Sequence, residues 1–138
     1  MIAYLDASAL LRLVLREPGA VEELRSCDAL VSSELLAVEC LRTIDRLRLR
    51  GQLEMEEATH GRGGVMEWLE AVDLILLRAP ILARASDPFP TPLGTLDAVH
   101  LSTALLWRDG MGQTLVMATH DGALALAARA FGMEVIGA

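Results

Sequence analysis

Five short apolar runs separated by helix-length stretches set the strongest limit on what this chain can fold into. Ile2–Leu5, Ala29–Ser32, Val72–Leu77, Thr114–Ala118 and Glu134–Ile136 read as strands too short and too apolar for a half-solvated antiparallel sheet. Between them, residues 8–15, 19–26, 33–50, 54–70, 80–85, 95–107 and 122–131 read as helices. Leu36, Cys40, Ile44 and Leu47 form one apolar stripe at helical spacing, and Gly51 follows as a stop. Gly61, Gly63 and Gly64 are expected to interrupt or kink the stretch 54–70. Asp87-Pro-Phe-Pro-Thr-Pro92 is a loop, and Thr95 caps the helix after it. This alternation predicts a three-layer α/β/α sandwich around a mostly parallel, roughly five-stranded sheet, with residues 1–138 as one domain.

Parallel sheets gather ligands outside the carboxyl ends of their strands. Asp6 follows the first strand directly, and Asp121 stands three residues beyond the fourth. Two further acids interrupt apolar helical sequence: Glu39 in Leu35-Leu-Ala-Val-Glu-Cys-Leu41, and Asp97 in Thr95-Leu-Asp-Ala-Val-His-Leu101. Each has an ordinary reading beside the functional one. Asp6 and Asp121 are suited to cap helices, Asp97 complements a helix dipole, and Arg42 or Thr43 is placed to satisfy Glu39. Ser8 is a second candidate cap for the first helix, which would free Asp6.

The functional reading rests on the four acids reaching one sheet edge. Two carboxylates ~4 Å apart repel by about 4 kcal/mol at an effective dielectric of 20. The chain has nineteen acidic and twelve basic residues, a net charge of −7, and every basic residue is arginine. With no lysine to compensate, a hard divalent cation is the natural partner, and oxygen-only ligation favours Mg2+ or Mn2+ over zinc. The missing lysine also excludes a P-loop and argues against receiver-type and dehalogenase-type phosphoryl chemistry. Carboxylate-held magnesium then points to phosphoryl hydrolysis with water as nucleophile.

Four segments carry a family likeness: Leu5-Asp-Ala-Ser-Ala-Leu10, the Glu39 helix, Leu96-Asp-Ala-Val-His-Leu101 and Thr119-His-Asp-Gly-Ala-Leu124. Together they resemble the PIN-domain ribonucleases, and the VapC toxins of toxin–antitoxin operons in particular. The likeness runs from Ile2 to Ile136. It implies a Mg2+- or Mn2+-dependent endoribonuclease that hydrolyses RNA phosphodiester bonds with a magnesium-activated water. It also implies that Asp6, Glu39, Asp97 and Asp121 surround the metal, with Ser8 and Thr119 orienting acids or water. RNA as substrate, a cognate antitoxin protein over the active site and a homodimer follow from the same resemblance. Two alternatives stay open, a catalytically weak PIN-like interaction module and a small metal-dependent phosphomonoesterase.

Arg42 and Arg46, in an arginine cluster with Arg48 and Arg50, are candidate RNA contacts. His100 is expected to be structural or to support the acids, and His120 to be an exposed loop residue. Trp68 and Trp107 read as packing residues. Cys27 and Cys40 read as reduced core thiols, since neither lies in a metal or disulfide spacing. No apolar run approaches the ~20 residues a membrane-spanning helix needs and no signal peptide is visible, so the expected location is cytoplasmic.

Overall fold

The computed structural model describes residues 1–138. Its order is β1 (Ile2–Leu5), α1 (Ala7–Val14), a 3-10 turn (Glu22–Ser26), β2 (Ala29–Ser33), α2 (Leu35–Leu49) and α3 (Met55–Leu69), then β3 (Val72–Ile75), α4 (Ala79–Ala85), α5 (Thr95–Met111), β4 (Val116–Ala118), α6 (Gly122–Ala130) and β5 (Glu134–Ile136). All strand pairs are parallel, in the order β3-β2-β1-β4-β5. No helix is long and apolar enough to cross a membrane.

The chain winds outward from β1 to β3 and then returns to add β4 on the other side of β1. That reversal makes the β1/β4 boundary the topological switch point, where neighbouring crossover loops part and leave a crevice. The register fixes what meets there. Leu5 pairs with Ala118, and the Asp6 amide donates to the Ala118 carbonyl at 3.0 Å, so Asp6 and Thr119 leave the sheet side by side.

Strand alternation sends Ala3, Leu5 and Leu30 to a core shared with α1, α2 and α3. Tyr4, Val31 and Met117 face the opposite core, closed by α5 and α6. Both faces of the central strands are therefore buried, as their unbroken apolar sequences require. Leu36, Cys40 and Ile44 form the buried stripe of α2, and Leu47 is half-buried. Both cysteines are free thiols, Cys40 buried and Cys27 half-buried. Trp68 packs partly buried against the first core under the Arg25 guanidinium, and Trp107 against the second.

Four local expectations fail for physical reasons. The glycines do not break α3, which runs unbroken from Met55 to Leu69. A Cβ on Gly61 would meet Leu15 at 3.0 Å, and one on Gly64 would meet Val14 at 3.2 Å. These glycines let α3 lie close against α1, and tertiary contact outweighs their poor helix propensity. The predicted helix 19–26 is only a 3-10 turn, because left-handed Gly19 and extended Cys27 leave room for little else. Thr95 does not cap α5; Gly94 holds the cap position without a side-chain bond. The same helix extends past Trp107 to Met111 and ends where Gly112 turns left-handed at φ 62°.

Candidate active site

Asp6 is buried at the end of β1, and of the two candidate caps, Asp6 and Ser8, it is Asp6 that caps α1. Its Oδ2 accepts from the Ser8 amide at 3.3 Å, the Ser8 hydroxyl at 2.5 Å and the Thr119 hydroxyl at 2.8 Å. All three bonds fall on one oxygen, so Oδ1 is left without a protein partner. Ser8 and Thr119 thus clamp the carboxylate, and their hydroxyls lie 3.2 Å apart.

Asp121 caps α6, its Oδ1 accepting from the Leu124 amide at 2.9 Å. The Thr119 hydroxyl also accepts from the Asp121 amide at 3.0 Å, so one threonine joins both acids across the switch point. Asp97 occupies the first turn of α5, half-buried and without a hydrogen bond to its carboxylate. Its pKa is pushed up to about 6, first by burial and then by the charges of Asp121, Asp6 and Glu39, with His100 opposing them. Asp97 therefore feels all three other acids at once.

Glu39 projects from α2 to His100 of α5, with its carboxylate hydrogen-bonded to the imidazole Nε2. This corrects the expected Arg42 or Thr43 partner. Arg42 instead pairs with Asp45 at 3.1 Å, and the Thr43 hydroxyl donates to the Glu39 backbone carbonyl at 2.8 Å. His100 is wholly buried. Burial is the largest influence on its pKa and pulls it down, but the bond and charge of Glu39, with Asp6 and Asp97, outweigh it and leave the net shift upward. His120 is half-buried rather than an exposed loop residue, since its Nδ1 meets the Gly137 carbonyl at 2.7 Å. Arg46 is exposed and donates to the Thr43 hydroxyl at 3.0 Å, with no acid in ion-pair range.

Asp6, Asp97 and Asp121 have no arginine ion pair, and Glu39 has only the imidazole. A repelling, oxygen-only donor set with so little cationic compensation fits a hard divalent ion. No three of these side chains form a preassembled ligand set. Magnesium does not need one, because it usually takes one or two carboxylates and completes its shell with water and substrate phosphate.

A parallel α/β/α sandwich with acids at its switch point, and no phosphate-binding glycine loop, defines an acid-edge class of protein. Within it, the chain belongs to the PIN-domain family, whose model matches residues 3–127. It is 31% identical over 136 residues to Ribonuclease VapC46 of Mycobacterium tuberculosis (strain ATCC 25618 / H37Rv), a match covering 96% of this chain and 95% of that protein. It is 30% identical over 109 residues to Ribonuclease VapC47 of Mycobacterium tuberculosis (strain CDC 1551 / Oshkosh), covering 73% of each.

Proposed function

We propose that this protein is a metal-dependent endoribonuclease, the toxin of a toxin–antitoxin pair, and that Asp6, Glu39, Asp97 and Asp121 form its catalytic centre. The observation that carries the reading is that the Thr119 hydroxyl bonds to both Asp6 and the Asp121 amide at the switch point, while Asp97 stands one turn before the histidine that holds Glu39. The ribonuclease names of both relatives support it. Mg2+ or Mn2+ is the cofactor, and when bound it supplies Lewis acidity toward water and phosphate oxygens. Asp6 offers its free Oδ1 while Ser8 and Thr119 hold Oδ2. Asp97 offers a carboxylate tied to nothing else. Asp121 is anchored through one oxygen, and Glu39 is held by His100.

A cavity of about 280 Å3 opens beside Asp121, the one acid of the four that lines it, between α1 and α2, and is bordered also by Ser8, Arg12, Thr43 and His120. Arg46 reaches Thr43 at its rim and has no competing acid, so it is the stronger phosphate contact; Arg42 shares its charge with Asp45. A cytoplasmic homodimer and a cognate antitoxin complete the proposal. Exposed Leu74, Leu76 and Leu106 beside the apolar cleft at the β3 edge support self-association.

RNA cleavage in Mg2+ or Mn2+ tests the reading, with EDTA, Asp6→Asn and Asp97→Asn as arms. Activity is expected to vanish in each, and full activity in all three refutes it. Hydrolysis of a simple phosphate ester as fast as RNA would favour a phosphomonoesterase instead.

A further inference from the structure

Glu39 differs from the other three acids because its partner belongs to the buried core. α2 packs in the layer containing α1 and α3, whereas α5 packs on the opposite face of the sheet. The Glu39–His100 bond therefore ties the two helical layers together over the carboxyl edge. Behind it, His100 Nδ1 lies 2.7 Å from the Tyr4 hydroxyl, and that hydroxyl accepts from the Ser33 backbone amide at 3.1 Å. Tyr4 and His100 are both fully buried, and their rings meet edge to face at 5.8 Å.

The order of these bonds favours one arrangement of the protons. Hydroxyls of Ser32 and Thr103 direct their hydrogens at the Leu5 and Val99 carbonyls, at 2.6 and 2.7 Å. Tyr4 accepts from the Ser33 amide, and the inferred relay gives its own proton to Nδ1, 2.7 Å away. A neutral imidazole that accepts at Nδ1 carries its hydrogen on Nε2, the nitrogen facing Glu39. Nothing else in the core competes for either nitrogen.

We infer that His100 is a positioning residue: its Nε2–H, fixed by the Tyr4 hydroxyl on Nδ1, holds the Glu39 carboxylate in the orientation that receives the divalent ion. This rests on the reading of the acidic edge as the metal site. The β1 strand therefore serves that edge twice. Its end delivers Asp6, and Tyr4, two residues earlier on the opposite core face, sets the tautomer that aims Glu39.

Two measurements test the role without RNA. In metal-free protein labelled with 15N-histidine, His100 is expected as a single tautomer protonated at Nε2. With the pH set high enough to keep the imidazole neutral, a proton on Nδ1 overturns the assignment. Mn2+ titration then compares His100→Gln, whose amide stands in for Nε2, with His100→Asn, whose amide stands in for Nδ1. Gln is expected to keep Mn2+ affinity within about threefold while Asn loses about tenfold, as for groups that orient a metal ligand. Equal losses, or losses that follow the melting temperatures, overturn the role.

Should the buried substitutions fail to fold, Tyr4→Phe keeps the ring and removes only the hydroxyl. It is expected to mix the tautomers and weaken Mn2+ binding, and no change in either overturns the role. If the unsubstituted protein binds no Mn2+, the metal reading falls and the role with it. The tautomer measurement separates that failure from an error in the relay itself.

Discussion

Replacing Asp97 by Asn should stabilise the metal-free protein at neutral pH while abolishing its RNA cleavage. The carboxyl lacks a hydrogen bond to lose, and its pKa is raised from 3.8 to about 6 by burial and by three neighbouring acids. A folded-state pKa above the unfolded one means the folded protein holds the proton more tightly. The penalty of ionising Asp97 is therefore absent below about pH 4, grows as pH rises, and is complete above about pH 6. A shift of this size corresponds to a ceiling of roughly 3 kcal/mol. Solvent reaches the half-buried side chain, and screening reduces that to about 1–2 kcal/mol.

The first-turn position in α5 works the other way, because an anion there gains ~0.3–1 kcal/mol from the helix dipole. Burial and repulsion together win, and Asp97→Asn should gain about 1 kcal/mol, or about 3–4 °C in melting temperature for a chain of this length. Thermal unfolding in EDTA at pH 8 measures the gain, and repeating it at pH 4 should erase it. Adding millimolar Mg2+ at pH 8 should reverse the order, since only the unsubstituted site gains full stabilisation from the ion. A variant that melts below the parent at pH 8 in EDTA, or an advantage that survives at pH 4, refutes this electrostatic account of the site.

Six other substitutions, at five positions, probe the parts around it. Asp6→Asn keeps a carbonyl to accept from Ser8 and Thr119, so it should unfold within ~0.5 kcal/mol of the parent but cleave no RNA; Asp6→Ala should lose about 1–2 kcal/mol with the cap. Gly64→Ala places a Cβ 3.2 Å from the stiff Val14 side chain and should cost about 1–2 kcal/mol in urea unfolding. Gly63→Ala, where a Cβ meets open space, should gain ~0.5–1 kcal/mol from the same helix. Arg46→Ala should raise KM for RNA and reduce the salt dependence of binding by about one phosphate contact, with Arg42→Ala affecting both less because Asp45 already holds that guanidinium.

The layers and the position of the edge were legible because they follow from periodicity. Short apolar strands alternating with helices leave few arrangements but a buried parallel sheet, and Asp6 and Asp121 sit where such a sheet collects ligands. The glycines of α3 were misread because propensity describes a helix alone, while Gly61 and Gly64 answer to Leu15 and Val14 on a helix far away in sequence. The Glu39–His100 bond spans sixty-one positions and depends on how α2 and α5 dock. Local spacing offered only Arg42 and Thr43 at one helical turn. An acid inside an apolar helix stretch and a histidine on an apolar helix face were the signal, and two such misfits in one chain are good candidates to satisfy each other.

Asp6 makes the same point at the scale of single atoms. A helix cap and a ligand look like rival explanations when the residue is the unit of argument, and the sequence invites that choice. The carboxylate has two oxygens, and the fold divides them. Oδ2 takes three hydrogen bonds and anchors the chain reversal from β1 to α1, while Oδ1 takes none. The bonds that anchor α1 also hold the free oxygen in place, and they remove its rotational freedom before any ion arrives. Asp121 repeats the arrangement at the start of α6, and Thr119 bonds to both residues. Loss of the Thr119 hydroxyl would thus loosen two acids at once, which is why the proposed catalytic centre and the β1/β4 switch point behave as one structural unit.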